Sequence, residues 1–76
     1  MKLHLGGYLD FYNPKPGSQL VVELDQPAAL VVVLTDLGIP LEEVQLVVVN
    51  GELVELEGAV VAPQDEVKIF SAVGGG

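Results

Sequence analysis

Three consecutive glycines, Gly74, Gly75 and Gly76, close the chain directly after a segment with the pattern of a β-strand. Glycine loses more backbone freedom on ordering than any other residue, so a glycine run at this place contributes little to a fold. A thin, extended end suits entry into a narrow site on another protein, and the group it presents is a carboxylate. We therefore expect chemistry at the carboxylate of Gly76, with Gly74 and Gly75 supplying access and reach. The alternative interpretation is a plain disordered tail, or the remainder of a linker in a truncated chain.

The other polar residues offer little catalytic chemistry. His4 is the single histidine and cysteine is absent, so neither a disulfide nor a metal site is expected. No nucleophile with a neighbouring base stands out. The Gly6-Gly7 pair lacks the spacing and the Lys-Ser/Thr of a phosphate-binding loop.

Composition narrows the class of protein. A chain of 76 residues is one small domain. Its 50% hydrophobic residues allow it a core that does not depend on disulfides or a metal ion. The net charge is −8, with Lys2, Lys15 and Lys68 as the only cations, which argues against nucleic acid and acidic membranes as partners. A basic protein partner would complement the charge, although acidity also serves solubility.

Targeting and membrane segments are not expected. The longest apolar run, residues 28–34, is far too short to cross a bilayer. The first five residues alternate polar and apolar types and lack the apolar core of a signal peptide, so we expect a cytoplasmic protein.

In the first half of the chain, the pattern predicts two strands and a helix. Alternation predicts a strand over residues 1–9, interrupted by a bend at Gly6-Gly7, and a second strand over residues 20–24. Asp25 is the expected helix cap, with Pro27 in the first turn. Apolar residues then follow helical spacing up to Leu37, and Gly38 is the expected stop: Ala29, Leu30, Val33, Leu34 and Leu37.

In the second half, a short helical turn or connector at residues 41–44 leads to a hairpin. Strands over residues 45–49 and 52–56 flank Asn50-Gly51, a pair that accepts positive φ at both positions. A loop over residues 57–62 is expected to place Val60 in the core. The last strand, residues 66–73, alternates, with Val67, Ile69, Ser71 and Val73 on one face and Glu66, Lys68, Phe70 and Ala72 on the other.

Two hairpins, one helix and a central last strand predict an α+β fold of the β-grasp (ubiquitin-like) type. In such a fold a mixed sheet of four to five strands wraps around one helix. We expect residues 1–73 to form this domain and residues 74–76 to form a flexible tail.

Three stretches resemble the ubiquitin-like sulfur carriers, namely the molybdopterin-synthase small subunits and the thiamine-biosynthesis sulfur carriers. They are VVNGELV at residues 48–54, QDEVKIF at residues 64–70 and AVGGG at residues 72–76. The chain departs from that pattern in two places. Gln64 stands where a glycine is usual, and the end has three glycines where two are usual, with Gly74 in the place of alanine.

This resemblance implies a carrier rather than an enzyme, with no bound cofactor. An adenylyltransferase of the ubiquitin-activating (E1-like) type would use ATP to adenylate Gly76, and a sulfur donor would convert the adenylate into a thiocarboxylate. A sulfur-accepting synthase would then take the sulfur. The VNGELV hairpin and Phe70 slightly favour molybdopterin biosynthesis over thiamine biosynthesis. The alternative is a protein-binding ubiquitin-like module, or a modifier conjugated through its C-terminus.

Phe70 is the second candidate site residue, as an apolar anchor for a partner, with Val48, Lys68 and His4 on the same surface. The alternative is that Phe70 packs under a loop or against the tail. For His4 the simpler interpretation is a solvated strand residue. The apolar run that contains Val48 does not reveal which of its sides is buried.

Overall fold

The computed structural model describes residues 1–72, so the predicted glycine tail lies outside the described residues. Seven strands and one α-helix are present in this part of the chain. In chain order they are β1 (Lys2–Gly6), β2 (Leu20–Val21), β3 (Ala28–Ala29), α1 (Leu30–Asp36), β4 (Leu46–Val49), β5 (Glu52–Val54), β6 (Val60–Val61) and β7 (Glu66–Phe70). Two 3₁₀ helices, Gly7–Tyr12 and Leu41–Glu43, connect them; the second is the short helical turn expected there.

Five strands form one mixed sheet in the order β2-β1-β7-β4-β5. The first and last long strands, β1 and β7, are parallel, and the other neighbours in this sheet are antiparallel. The predicted β-grasp architecture is confirmed, including the central place of the last strand. A second sheet joins only β3 and β6.

The core lies between the inner face of the five-stranded sheet and α1. Period-two alternation sends Val67 and Ile69 of β7 into this core, where neither side chain is accessible to solvent. Leu30 and Leu34 close it from the helix. The other buried apolar residues are Met1, Leu3, Leu5, Leu9, Val33, Ile39, Val47 and Val61.

The predicted beginning of the helix is wrong. Residues 28 and 29 form a strand that pairs with β6, so α1 begins only at Leu30, and Asp25 and Pro27 are not its cap or first turn. The backbone N–H of Leu30 donates a hydrogen bond to the carbonyl of Ala59 at 3.0 Å. This distant carbonyl takes the place of a local capping residue at the beginning of the helix. The predicted stop is correct, because the chain turns at Gly38 with φ +79°.

Several predicted strands are shorter than expected. Residues 7–9 belong to the first 3₁₀ helix, which turns Leu9 into the core, so β1 ends at Gly6. The strands predicted over residues 20–24, 52–56 and 66–73 end at Val21, Val54 and Phe70. Val60 was expected in the core but is 65% exposed, and its neighbour Val61 is the buried residue.

The tip of the β4–β5 hairpin is the predicted turn and is attached to β7. Asn50 and Gly51 both have positive φ, at 51° and 83°. The Asn50 side chain accepts a hydrogen bond from the backbone N–H of Glu66 (2.9 Å) and donates one to the Asp65 carboxylate (3.0 Å). The hairpin is therefore tied to the beginning of the central strand by side-chain as well as ladder bonds.

Candidate functional site

The outer face of the sheet, which points away from α1, brings the predicted interface residues together. The register places Lys68 of β7 between His4 of β1 and Val48 of β4. Phe70 follows on the same strand and face, opposite Val67 and Ile69, as alternation predicted. The outer face consists of Val21, Lys2, His4, Gly6, Glu66, Lys68, Phe70, Leu46, Val48 and Leu53.

Phe70 lies on this face but is only half-exposed, because its ring packs on β1. The backbone of Gly6 is its register partner, and a Cβ atom there would lie 2.6 Å from Cε1 of the ring. The ring of His4 stands beside it, with centroids 6.0 Å apart and planes tilted by 56°. These contacts are with the sheet itself. The tail, which the alternative interpretation places against Phe70, lies outside the described residues.

Two leucines that sequence reasoning missed make this face markedly apolar. Leu46 is 50% exposed beside Phe70, and Leu53 is 65% exposed beside Val48. The face of the sheet on which they lie follows from the pairing with β7. Once Ile69 is known to point inward, its partner Val47 must do so too, and both neighbours of Val47 must point outward. Contiguous exposed apolar side chains of this kind mark interaction surfaces.

The outer face is far less acidic than the chain as a whole. Lys2 and Lys68, two of the three lysines, stand on its paired strands with the single histidine and Glu66, and Glu55 lies at its edge beside Leu46 and Leu53. The excess of acidic side chains must therefore lie on other surfaces, including the second 3₁₀ helix with Glu42 and Glu43. A partner for this face would be complementary if it offered apolar groups, with carboxylates opposite Lys2 and Lys68.

The chain leaves the sheet from a fixed point. The carbonyl of Phe70 accepts the last ladder-type hydrogen bond, from the N–H of Gln45 at 2.8 Å. One residue later, the Ser71 hydroxyl accepts a hydrogen bond from the backbone N–H of Tyr8, also at 2.8 Å. The predicted reactive residue, Gly76, and the access residues Gly74 and Gly75 lie outside the described residues.

Within residues 1–72, no group of three or more His, Cys, Asp or Glu side chains is arranged to hold a metal ion. Nor does that part of the chain contain a helix whose length and hydropathy would let it cross a membrane.

Comparison with known proteins identifies the family. The ThiS family matches residues 8–76, a stretch that includes the hairpin, the central strand and all three terminal glycines. A search of curated proteins found no match to the chain. Members of the ThiS family are sulfur carriers without enzymatic activity and without a bound cofactor, and nothing in the match supports the preference for molybdopterin. Because this match covers residues 8–76, the chain belongs to the ThiS family of sulfur carriers.

Proposed function

We propose that this chain carries sulfur as a thiocarboxylate on Gly76. The observation that carries the proposal is the extent of the family match, which runs through the last residue of the chain. Gly74 and Gly75 would give the terminus access to a narrow site, because a residue without Cβ presents the smallest cross-section.

The chemistry explains why activation must come first. A carboxylate is a poor electrophile until one of its oxygens becomes part of a good leaving group. In the first step the Gly76 carboxylate attacks the α-phosphate of ATP in the partner's site, and pyrophosphate leaves. In the second step a sulfur nucleophile attacks the carbonyl carbon of the acyl-adenylate, and AMP leaves. A ThiF-like adenylyltransferase would supply the catalytic groups, so this chain would be its cosubstrate.

The fold supports this role by presenting the terminus from a rigid base. The central strand β7 has neighbours on both sides, and the chain is tied as far as Ser71. Four residues follow Ala72, which allows an extended reach of at most about 14 Å. A partner must therefore come close to the body of the carrier, which gives the outer face an opportunity to bind.

We propose that the outer face is that docking surface, with Phe70, Val48, Lys68 and His4 as contact residues and Leu46 and Leu53 beside them. The Leu53→Asp variant should weaken capture by the activating enzyme by tenfold or more, the scale of an interface side chain worth over 1.4 kcal/mol. The matched control is Val32→Asp, since Val32 is 53% exposed on α1, the other layer of the domain. Equal effects of the two variants would show that the outer face is not the docking surface.

For the pathway, the family favours a thiamine-type acceptor, with a molybdopterin synthase as the other candidate, and a cytoplasmic setting suits either. Expression of the chain in cells that lack one or the other carrier distinguishes them. Growth without thiamine would support the first acceptor. Recovery of molybdoenzyme activity alone would support the second.

The proposal is tested by incubating the chain with its cognate activating enzyme and ATP. We expect ATP–pyrophosphate exchange that depends on the carrier and, with a sulfur donor, an intact mass increased by the replacement of one oxygen by sulfur. A variant lacking Gly75 and Gly76 should support neither. Exchange that survives this deletion would disprove the mechanism, and conjugates to lysines of other proteins would indicate a modifier instead.

A further inference from the structure

The Gly6-Gly7 pair has no part in the proposed chemistry, yet Gly6 contacts Phe70 at the end of β7 and Gly7 contacts the following residue, Ser71. Gly6 has φ −99° and ψ 162°, values that any residue adopts, so backbone conformation does not demand glycine there. Packing does demand it, because a Cβ atom would stand 2.6 Å from Cε1 of Phe70. The missing side chain thus makes room for the Phe70 ring.

Gly7 is required for two reasons. Its φ is +63°, in the left-handed region that favours glycine, and a Cβ atom would meet the Ser71 hydroxyl at 2.5 Å. The next residue, Tyr8, donates its backbone N–H to that same hydroxyl. Residues 6–8 therefore receive Phe70 and Ser71 one after the other, across more than sixty positions of sequence.

We propose that Gly6, Gly7 and Tyr8 form a seat that sets the direction in which the chain continues to Gly76, which makes Ser71 a positioning residue for the carrier reaction. This inference rests on the proposed function at Gly76. Ser71 is the last residue whose side chain is bonded to a distant part of the domain in the region the structure describes.

Direction, not length, is the quantity that the seat controls. Releasing Ser71 would move the last tethered residue of the described chain back to Phe70, so that six residues and not five follow it in the sequence. An effective concentration that falls as the −3/2 power of this length changes only about 1.3-fold. A single hydrogen bond, in contrast, favours one arrangement of the chain over the alternatives by a population ratio of about threefold to tenfold. If the seat acts as proposed, loss of the Ser71 hydrogen bond must therefore lower the reaction rate by more than the change of about 1.3-fold expected from length alone.

The test compares Ser71→Ala with Ser71→Thr, which keeps the hydroxyl, and with Ser18→Ala as a control. Ser18 is also half-buried, but only its backbone carbonyl accepts a hydrogen bond in the described structure. We expect Ser71→Ala to lower kcat of ATP–pyrophosphate exchange about threefold to tenfold with KM unchanged, because docking does not use this residue. Ser71→Thr should restore most of the rate, and Ser18→Ala should match the unsubstituted chain.

A second measurement does not depend on the activating enzyme. Amide relaxation by NMR should show increased motion at residues 71 and 72 in Ser71→Ala and in Gly6→Ala, and neither Ser71→Thr nor Ser18→Ala should change it. An unsubstituted chain that fails to be adenylated would contradict the proposed function, whereas unchanged relaxation at residues 71 and 72 would overturn the seat. Relaxation that changes while kcat stays within twofold would also overturn the positioning role.

Discussion

The strongest stability prediction concerns Asn50 at the tip of the β4–β5 hairpin. Its backbone N–H donates to the carbonyl of Glu66 at 2.8 Å, and its side chain bonds to Asp65 and to the N–H of Glu66. Its φ of 51° is the only positive value at a non-glycine residue in the described chain. Replacement of Asn50 therefore separates two effects, the loss of side-chain bonds and the strain of a left-handed backbone.

The magnitudes follow from these two effects. Asn50→Gly keeps the conformation and loses two side-chain hydrogen bonds, each worth about 0.5–1.5 kcal/mol and here at the lower end because the bonds are exposed. We expect a loss of about 1–2 kcal/mol. Asn50→Ala loses the same bonds and adds about 1 kcal/mol of left-handed strain, for a total of about 2–3 kcal/mol. In a domain of this size each kcal/mol lowers Tm by about 4–8 °C.

The pH dependence of the free energy of unfolding tests the Asn50–Asp65 hydrogen bond independently. The hydrogen bond from the Asn50 side chain, and next the one from the N–H of Ala62, hold the pKa of Asp65 below its usual value of 3.8. A carboxyl group whose folded pKa is depressed stabilises the fold above its unfolded pKa, and this contribution is lost as pH falls through the folded pKa. The stability difference between the unsubstituted chain and Asn50→Gly should therefore shrink below about pH 4.

The assay is urea unfolding at pH 7 and pH 3, with the midpoint and slope fitted separately. Gln64→Ala is the matched control, since Gln64 is exposed in the turn that precedes Asp65. Equal losses for Asn50→Gly and Asn50→Ala would refute the strain argument. A loss for Asn50→Gly no greater than that of the control would refute the contribution of the side-chain bonds.

Three further predictions follow from burial, hydrogen bonding and charge. Leu34→Ala should cost about 2–5 kcal/mol, because Leu34 is fully buried, whereas Val32→Ala on the exposed side of the same helix should stay within about 0.5 kcal/mol; both are measured by urea midpoints. The Tyr12 phenol donates to the Glu43 carboxylate at 2.9 Å, which raises its pKa above 10.0. The stability from this bond is therefore present below pH 10 and lost as pH rises through the folded pKa, and Tyr12→Phe should remove that alkaline loss in a pH series. Lys68→Glu should slow association with the activating enzyme, more strongly at low salt, in stopped-flow measurements; a rate independent of salt would contradict docking through the outer face.

The parts of the fold that the sequence predicted well are those whose causes are local. The inward side of β7 follows from strict alternation. The hairpin turn follows from Asn50-Gly51, because both residue types accept the positive φ that the turn requires. The stop at Gly38 has the same origin. In each place the neighbouring residues alone decide the conformation, so reading along the chain is sufficient.

The failures have causes that are distant in sequence. The helix begins late because residues 28 and 29 pair with β6, a contact across more than thirty positions. Strands of two residues are too short to show an alternating pattern in the sequence. Asp25 has the right chemistry for a cap, but tertiary pairing overrides it. Val60 and Val61 are adjacent and chemically identical, so only this pairing decides which of them is buried.

The candidate site divides along the same line. The side of Phe70 and Lys68 could be predicted from alternation, whereas that of Val48 required the pairing of β4 with β7, because a run of apolar residues has no visible inner side. Leu46 was missed for that reason, and Leu53 was missed because its side follows from its pairing with Val48. The use of Gly6 and Gly7 as the support of Phe70 and Ser71 is a contact between opposite ends of the chain, which no local pattern encodes.

Two of the three stretches that resemble sulfur carriers are in contact with each other. Asn50 of the VNGELV stretch bonds to Asp65 and Glu66 of the QDEVKIF stretch, and these bonds attach the hairpin to the central strand. Their residue types are thus explained by the architecture that every carrier with this hairpin must build. It follows that they identify the fold but cannot identify the sulfur acceptor, which is why a preference for molybdopterin based on the hairpin has no physical support. Discrimination between acceptors must reside in side chains that the fold does not require, and the exposed residues of the outer face, Leu46 and Leu53 among them, meet that condition.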